Sequence, residues 1–226
     1  MHSNDEMAEI VNKYATCMQE IKLRTNAVDS IIKKQTTTLY PYTNIEFLCL
    51  QIRKILELIV LANLVANNKE YQKLRQNFAT DWNAKRIIET IKKINVDYFP
   101  KAIYRKDSDN IKIKCEWKEK TSNILNENLF IDIYDEISCF LHSQNPFSSK
   151  SVKIETLNKK IITYINMIIN TLNEHNTVLC NGNIVNCTMN AVEENSKTKE
   201  GKVSVHYFEQ VKHNEITGVI IDEQNS

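Results

Sequence analysis

The chain has 226 residues, of which 42% are hydrophobic and 25% are charged, and this balance excludes a chain that is disordered throughout. Its 29 Lys and Arg residues against 28 Asp and Glu residues give a formal net charge of +1, so there is no basic excess of the kind that indicates nucleic-acid binding. The length is enough for one large domain with its own core, alone or with an appendage.

Two long helices are predicted in the first third of the chain. Apolar residues recur at three- and four-residue spacing over residues 7–32, with Asp5 as the expected N-cap of the first helix. Pro41 is expected to keep the two helices apart. The second helix is predicted over about residues 44–67, with Asn44 as its cap. It is apolar on nearly every side, so we place it at the centre of a helical bundle.

The pattern then alternates between helix and strand. A third helix is predicted after Asp81, ending before Pro100. Strict alternation follows, and it predicts an inserted β-hairpin over about residues 102–117. Two further helices are predicted over about residues 123–143 and 151–174. The fold class is therefore mainly α, with a helical bundle domain at residues 1–176.

Residues 177–226 form a separate, β-rich C-terminal extension in this prediction. The pair Asn181-Gly182 favours a tight hairpin turn, and further strands are expected over residues 203–208 and 216–221. The extension has few large apolar residues and cannot bury a core alone. We expect it to dock on the bundle or to pair with a second copy.

The positions of the glycines and cysteines exclude some kinds of binding site and indicate the redox compartment. The three glycines are Gly182, Gly201 and Gly218, so glycine-rich phosphate-binding loops are absent from the first 181 residues. The six cysteines form no Cys-x-x-Cys pair, and several lie among apolar residues, which favours a reducing, cytoplasmic compartment. No apolar run is long enough to span a membrane, so no membrane partner is expected. The spacing of His, Cys, Asp and Glu indicates no metal site and no cofactor.

The predicted central helix carries two charged residues in its most apolar segment. Arg53 and Glu57 are spaced i, i+4 and therefore lie on one face of the helix. Desolvating an unpaired charge is costly, so each of them needs a partner. They either pair with each other as a structural feature or belong to a functional pocket.

A later predicted helix carries a second polar row. Tyr134, Ser138 and His142 are spaced i, i+4, i+8, and Asn145 follows close behind. Histidine near a helix end is commonly a solvated or capping residue, but it also has the pKa that proton transfer near neutral pH requires. Both interpretations stay open at this point.

Together the two motifs resemble the HEPN superfamily of helical nucleotide-binding domains. The similar segments are Arg-x-x-x-Glu at residues 53–57 and Tyr-x-x-x-Ser-x-x-x-His at residues 134–142, and the resemblance covers the chain up to about residue 174. It implies a helical bundle with a polar centre that acts on or binds RNA or a nucleotide. Active ribonucleases of the superfamily carry Arg and His on one helix, four to six residues apart. No arginine here has a histidine at that spacing, so Arg53 and His142 can meet only in space.

The activity that the resemblance implies is metal-independent RNA cleavage. His142 would take the proton of the 2′-hydroxyl, and Arg53 would hold the phosphate. Glu57 would orient one of them, while Tyr134, Ser138 and Asn145 would add hydrogen bonds to the bound molecule. The alternative is a non-catalytic protein-interaction or scaffold module, in which the same residues form a buried polar brace. The resemblance also implies a homo-oligomer, and an exposed strand edge in the C-terminal extension would favour a protein partner.

Overall fold

The computed structural model describes residues 4–75, 80, 83–107, 115–142, 147, 154–191, 201–210 and 216–219. Within these residues the chain is mainly α-helical, as predicted, and it also contains an antiparallel sheet. The helices are α1 Asn4–Ile32, α2 Pro41–Ala66, α3 Asn68–Leu74, α4 Ala84–Lys92, α5 Glu127–Phe140 and α6 Ile154–Leu172. The strands are β1 Lys101–Asp107, β2 Cys115–Glu119, β3 Glu174–Val178, β4 Ile184–Ala191, β5 Lys202–Gln210 and β6 Ile216–Val219.

The N-terminal ends of α1 and α2 both differ from the prediction. Asp5 lies in the first turn of α1 and is not its cap. Pro41 does not block α2 but begins it, because proline at the first helical position loses only an N–H that has no partner within the helix. Asn44 therefore lies inside the helix, and its Oδ1 accepts a hydrogen bond from the Thr38 backbone N–H at 2.8 Å.

The later helices are shorter than predicted. The predicted 123–143 helix is α5, which begins after Asn126, whose side chain accepts from the Leu129 N–H as an N-cap. The helix predicted over 151–174 ends at Leu172, and the chain enters β3 at Glu174. The short helix α3 was not predicted, because seven residues give too few turns for a periodic pattern to show.

α2 lies at the centre of the helical layer and contacts all five other helices. Its fully buried residues include Ile52, Ile55 and Leu56. Burying a side chain of this kind contributes about 1.5–3 kcal/mol. α2 therefore occupies the place that its all-round apolar sequence predicts.

The six strands form one antiparallel sheet in the order β2-β1-β3-β4-β5-β6. β1 and β2, which overlap the residues predicted for the hairpin, pair antiparallel, and β1 also pairs with β3. The segment 108–114 of that hairpin lies outside the described residues. β3 spans the predicted boundary at residue 176 and pairs with both β1 and β4. The strands before and after that boundary therefore belong to the same sheet.

The connection between β3 and β4 is longer than the tight turn expected at Asn181-Gly182. It runs from Leu179 to Asn183, and the Leu179 N–H donates to the Asn183 carbonyl at 2.8 Å. Gly182 has a φ of 84°, a conformation that glycine adopts without steric cost. The Asn181 side chain accepts from the Asn183 N–H at 3.1 Å, which holds the wider loop together.

One face of the sheet packs on helices α1 and α6. The C-terminal strands thus dock on the helices of their own chain. The sheet curls strongly toward its other face. There Trp117 on β2 and Phe208 on β5 meet edge to face, with their ring centroids 5.1 Å apart. A flat sheet would hold these two strands about 19 Å apart, at about 4.8 Å per strand. The hairpin of β1 and β2 therefore folds toward the outer face of the sheet.

Candidate functional site

The structure brings Arg53, Glu57 and Tyr134 together between α2 and α5. The Arg53 Nε–H donates to Glu57 Oε1 at 3.1 Å, and the Tyr134 hydroxyl makes a longer contact of 3.4 Å to the same oxygen. The Arg53 Cζ lies over the Tyr134 ring, 5.4 Å from its centroid, which is within the range of a cation–π interaction. We call these three residues the α2–α5 brace.

Burial and charge complementarity stabilise the brace. Arg53 is 27% exposed and Glu57 is 17% exposed, so water screens their attraction only in part. Partial burial lowers the pKa of Arg53, but the hydrogen bond that Arg53 donates to Glu57 and the neighbouring Tyr134 outweigh that effect and leave the pKa raised. Burial also raises the pKa of Tyr134, although Arg53 opposes this. At neutral pH the brace therefore holds a cation, an anion and a neutral phenol.

Packing fixes the position of the tyrosine. The Tyr134 ring is 8% exposed and lies parallel to the Phe130 ring, one turn earlier on α5, with centroids 6.2 Å apart. Phe130 in turn meets Phe99 edge to face at 6.1 Å. The ring under the guanidinium is thus held by the hydrophobic core.

The other predicted site residues lie apart from the brace. Ser138 Oγ donates to the Tyr134 carbonyl at 2.6 Å, a bond within one helix. His142 is exposed and lies two residues beyond the end of α5. Within the described part of the chain, no hydrogen bond or ion pair joins His142 to Arg53 or Glu57. Asn145 lies outside the described residues.

Carboxylates also lie along α5, the helix that carries Tyr134. On α5, Asp132 is exposed, Asp135 pairs with Lys85 at 2.5 Å, and Glu136 pairs with Lys160 at 2.6 Å. Burial raises the pKa of Glu136, but the bonds from Lys160 and Tyr164 outweigh it and leave the pKa lowered. This surface alternates in sign and forms no basic stripe that would follow a phosphate backbone.

A second polar cluster, which the sequence motifs did not reveal, joins α1 to β3. Tyr14, His175 and Thr177 are each completely buried. The Tyr14 hydroxyl lies 2.8 Å from His175 Nε2 and 2.9 Å from Thr177 Oγ1, and His175 Nδ1 lies 2.9 Å from the Leu172 carbonyl. We call Tyr14, His175 and Thr177 the α1–β3 cluster.

The partners in this cluster fix the direction of every hydrogen bond. A carbonyl can only accept, so His175 Nδ1 carries the proton and donates to Leu172 at the end of α6. The Nε2 atom is then an acceptor for the Tyr14 hydroxyl, and the Thr177 hydroxyl must donate to the Tyr14 oxygen. Burial lowers the pKa of His175 to about 4, which keeps it neutral.

The sequence offered no signal for this cluster. Tyr14 and His175 are 161 positions apart, and the sequence pattern placed the start of the strand at Thr177 instead of Glu174. Only the alternation of His175 and Thr177, both facing the helices in β3, could have indicated a shared face once the strand boundary was known.

The cavity described below is not lined by the predicted site residues. A cavity of about 480 Å³ lies where α2 meets α3 and the β3–β4 loop, and its lining includes Asn67, Glu70 and Cys180 but none of the predicted site residues. No group of three or more His, Cys, Asp or Glu in the described ranges could hold a metal ion. Among those residues, no helix is long and apolar enough to cross a membrane.

Comparison with protein-family models, with curated proteins and with solved structures finds no match to this chain. The HEPN resemblance therefore stays a prediction that rests on the two motifs. What the structure adds is the geometry of one motif pair: Arg53, Glu57 and Tyr134 are in contact.

Proposed function

We propose that this chain is a non-catalytic protein-interaction module, in which the α2–α5 brace fixes α5 against α2 and so holds the helical surface in one shape. The observation that carries the proposal is that Glu57 Oε1 receives both the Arg53 Nε–H and the Tyr134 hydroxyl. The Arg53 Nε–H bonds to Glu57 and the guanidinium lies over the Tyr134 ring, so contacts within the chain already hold this arginine in place. A phosphate-binding arginine instead presents its donors to the ligand.

The surrounding charge supports the same proposal. RNA carries a dense row of phosphates, and a protein that binds it places Lys and Arg along its path. Here α5 itself carries no Lys or Arg; its Asp132 is exposed, and Asp135 and Glu136 are paired with Lys85 and Lys160. This surface of mixed sign offers no row of cations to a phosphate backbone laid across α5.

A second candidate is the HEPN-like activity on RNA or a nucleotide, and one observation favours it. Arg53 keeps 27% of its side chain exposed, and the half-exposed Lys54 lies next to it, so two cations remain accessible on one side of α2. In that proposal Arg53 holds the phosphate, His142 moves the proton and Glu57 orients Arg53. Tyr134, Ser138 and Asn145 would contact the bound molecule.

The two proposals are separated by incubating labelled total RNA with purified protein in EDTA. The variants are Arg53→Ala and His142→Ala, with Lys54→Ala as the matched control for loss of a neighbouring cation. We expect no cleavage by the wild type and a lower melting temperature for Arg53→Ala alone. Cleavage by the wild type that Arg53→Ala and His142→Ala both lose while staying folded would overturn the proposal and establish the ribonuclease.

A further inference from the structure

The connection between α1 and α2 exposes three large side chains at one end of the helical layer. Leu39 is 94% exposed, and Tyr40 and Tyr42, on either side of Pro41, are 53% and 50% exposed. The two tyrosine rings have centroids 6.1 Å apart. None of the three residues belongs to the hydrophobic core or packs against it. We call Leu39, Tyr40 and Tyr42 the α1–α2 tip.

The backbone at the apex of the tip is strained. Leu39 has a φ of 87°, in the left-handed region that glycine and asparagine adopt more readily than a bulky apolar residue. The exposed leucine side chain gains no burial in exchange for that strain. Backbone strain of this kind clusters at binding and active sites, where the surrounding structure holds it in place. The packing of the folded chain therefore does not explain a leucine at this position.

Hydrogen bonds beneath the tip hold it in one shape. The Thr38 N–H donates to Asn44 Oδ1 at 2.8 Å, and the Thr43 hydroxyl donates to the Thr38 carbonyl at 2.8 Å. The Asn44 N–H donates to the Tyr40 carbonyl at 3.2 Å, and Pro41 has no N–H that needs a partner. A pre-organised tip loses little conformational freedom on binding, so more of the burial of its side chains appears as affinity.

The side chains of the tip match the layers of a phospholipid surface. Leu39, the most exposed of the three, is an aliphatic group of the kind that enters the boundary of the acyl chains. Tyrosine has an apolar ring and a polar hydroxyl, and it is enriched where lipid meets water. A lipid surface accepts a projecting tip of any outline, whereas a protein partner would have to supply a pocket of matching shape.

The charges beside the tip fit the same partner. The connection between the two helices contains two lysines and no acidic residue. Lys33 pairs with Asp29 at 2.6 Å, and Lys34 is exposed. Glu46, also exposed, lies on α2 beyond its first turn. Lys34 can therefore meet a lipid phosphate, but Glu46 balances its charge, so the apolar side chains carry most of the affinity.

We propose that the α1–α2 tip docks on a phospholipid surface, with Leu39 among the acyl chains, the hydroxyls of Tyr40 and Tyr42 among the headgroups, and Lys34 beside a lipid phosphate. A surface contact of this kind does not require a helix that crosses the bilayer. It uses no residue of the α2–α5 brace and adds a second kind of partner to the proposed interaction role. One leucine and two rings form a weak, reversible anchor, with half of the protein bound at about 1 mM lipid.

The first test is co-flotation with vesicles of phosphatidylcholine and phosphatidylserine in a four-to-one ratio. The wild type should float with the vesicles, and Leu39→Ala should weaken binding about tenfold, because the apex loses most of its apolar surface. Val96→Ala is the matched control. Val96 is an aliphatic residue with 82% exposure, next to Asn95, which bonds to Asn67 at the far end of α2. The 26 residues of α2 span about 39 Å, so this change should leave binding unchanged.

A further variant separates contact with lipid from a structural role of the leucine. Asparagine is polar and accepts a positive φ, so Leu39→Asn should melt at or above the wild-type temperature and still lose vesicle binding. A lower melting temperature with vesicle binding retained would mean that Leu39 serves the fold, and it would overturn the proposal.

Tryptophan fluorescence locates the contact. Leu39→Trp should shift its emission to the blue when vesicles are added, whereas Val96→Trp should not, because only the first places the indole in lipid. Both variants keep the two native tryptophans, so the difference between them reports the position of the new ring. The same blue shift in both variants would overturn docking through the tip.

Two further outcomes would also overturn lipid docking. One is equal weakening of binding in Leu39→Ala and Val96→Ala. The other is a wild type that does not float at up to about 10 mM lipid, ten times the expected midpoint, which would leave a protein as the partner of the strained tip. None of these measurements involves RNA cleavage or the Arg53 variants, so lipid docking and the non-catalytic role fail independently of each other.

Discussion

The α2–α5 brace and the α1–β3 cluster each use a few polar groups to join two elements, but under opposite conditions. The brace is charged and partly exposed, with Arg53 and Glu57 one turn apart on the same helix. The cluster is neutral and completely buried, and its members Tyr14 and His175 come from opposite ends of the chain. Exposed ion pairs contribute little, whereas a buried polar group that loses its partner costs the full desolvation free energy. We therefore expect the α1–β3 cluster to contribute more to the free energy of unfolding than the α2–α5 brace.

The largest expected effect comes from truncating the buried tyrosine. Tyr14→Ala removes a buried ring and leaves both His175 Nε2 and the Thr177 hydroxyl without their partner. We expect a loss of about 3–5 kcal/mol in the free energy of unfolding, measured by urea titration. Tyr14→Phe keeps the ring and removes only the hydroxyl, so it should cost about 1–3 kcal/mol. Equal losses in the two variants would mean that the hydroxyl alone accounts for the effect and that the ring adds nothing.

The pH dependence of stability gives the next largest effect. The pKa of His175 is about 4 in the folded chain, below its ordinary value of 6.5, so the unfolded chain binds the proton more readily between these values. Stability contributed by neutral His175 is full above pH 6.5 and is lost as the pH falls toward 4, by up to about 3 kcal/mol. The measurement is the urea midpoint from pH 7 to 4.

Two histidine variants isolate this effect from the carboxylates that titrate in the same range. His175→Gln should flatten the pH dependence relative to the wild type, whatever its own cost at pH 7. His142→Gln changes an exposed histidine and should leave the slope unchanged. A wild-type slope in His175→Gln would show that other groups cause the acid sensitivity.

Truncating Arg53 should have a moderate effect on the free energy of unfolding. Arg53→Ala removes the ion pair to Glu57 and the contact with the Tyr134 ring, and we expect a loss of about 1–2 kcal/mol in the free energy of unfolding. Lys54→Ala, one position along, removes a half-exposed cation and should stay within about 0.5 kcal/mol of the wild type. Thermal and urea unfolding of the two variants side by side measures the difference. Similar losses would mean that only the local charge counts.

The smallest effect is expected at Ser138. Its hydroxyl bonds to the carbonyl one turn back on its own helix, an interaction that adds little to helix stability. Ser138→Ala should change the melting temperature by no more than the equivalent of about 0.5 kcal/mol. A large loss would reveal a role for this hydroxyl beyond α5.

Local pattern was enough to predict the longest elements. Period and composition indicated α1, α2 and the hairpin of β1 and β2, since each depends on residues close in sequence. The i, i+4 spacing placed Arg53 and Glu57 on one face of the helix, and their pairing was one of the two interpretations that it left open. The stacking of Arg53 on Tyr134 was not predictable, because it depends on how α5 lies across α2.

Contacts between residues far apart in the sequence could not be predicted, for the same reason. Between the end of α6 and the start of β3, His175 bonds to the Leu172 carbonyl and to Tyr14 on α1. The sequence around residue 175 has no pattern that indicates those partners. The pairing of β1 with β3 likewise joins segments about 70 residues apart, so the predicted boundary at residue 176 could not anticipate one continuous sheet.

The central claim is that Arg53 and Tyr134 act together as a structural brace, and a double-mutant cycle tests it most directly. The variants are Arg53→Ala, Tyr134→Leu and the double variant, with the free energy of unfolding of each taken from urea titration at pH 7. We predict a coupling free energy of at least about 0.5 kcal/mol, because each side chain loses its contact when the other is removed. Strict additivity, with coupling within about 0.3 kcal/mol of zero, would contradict the brace.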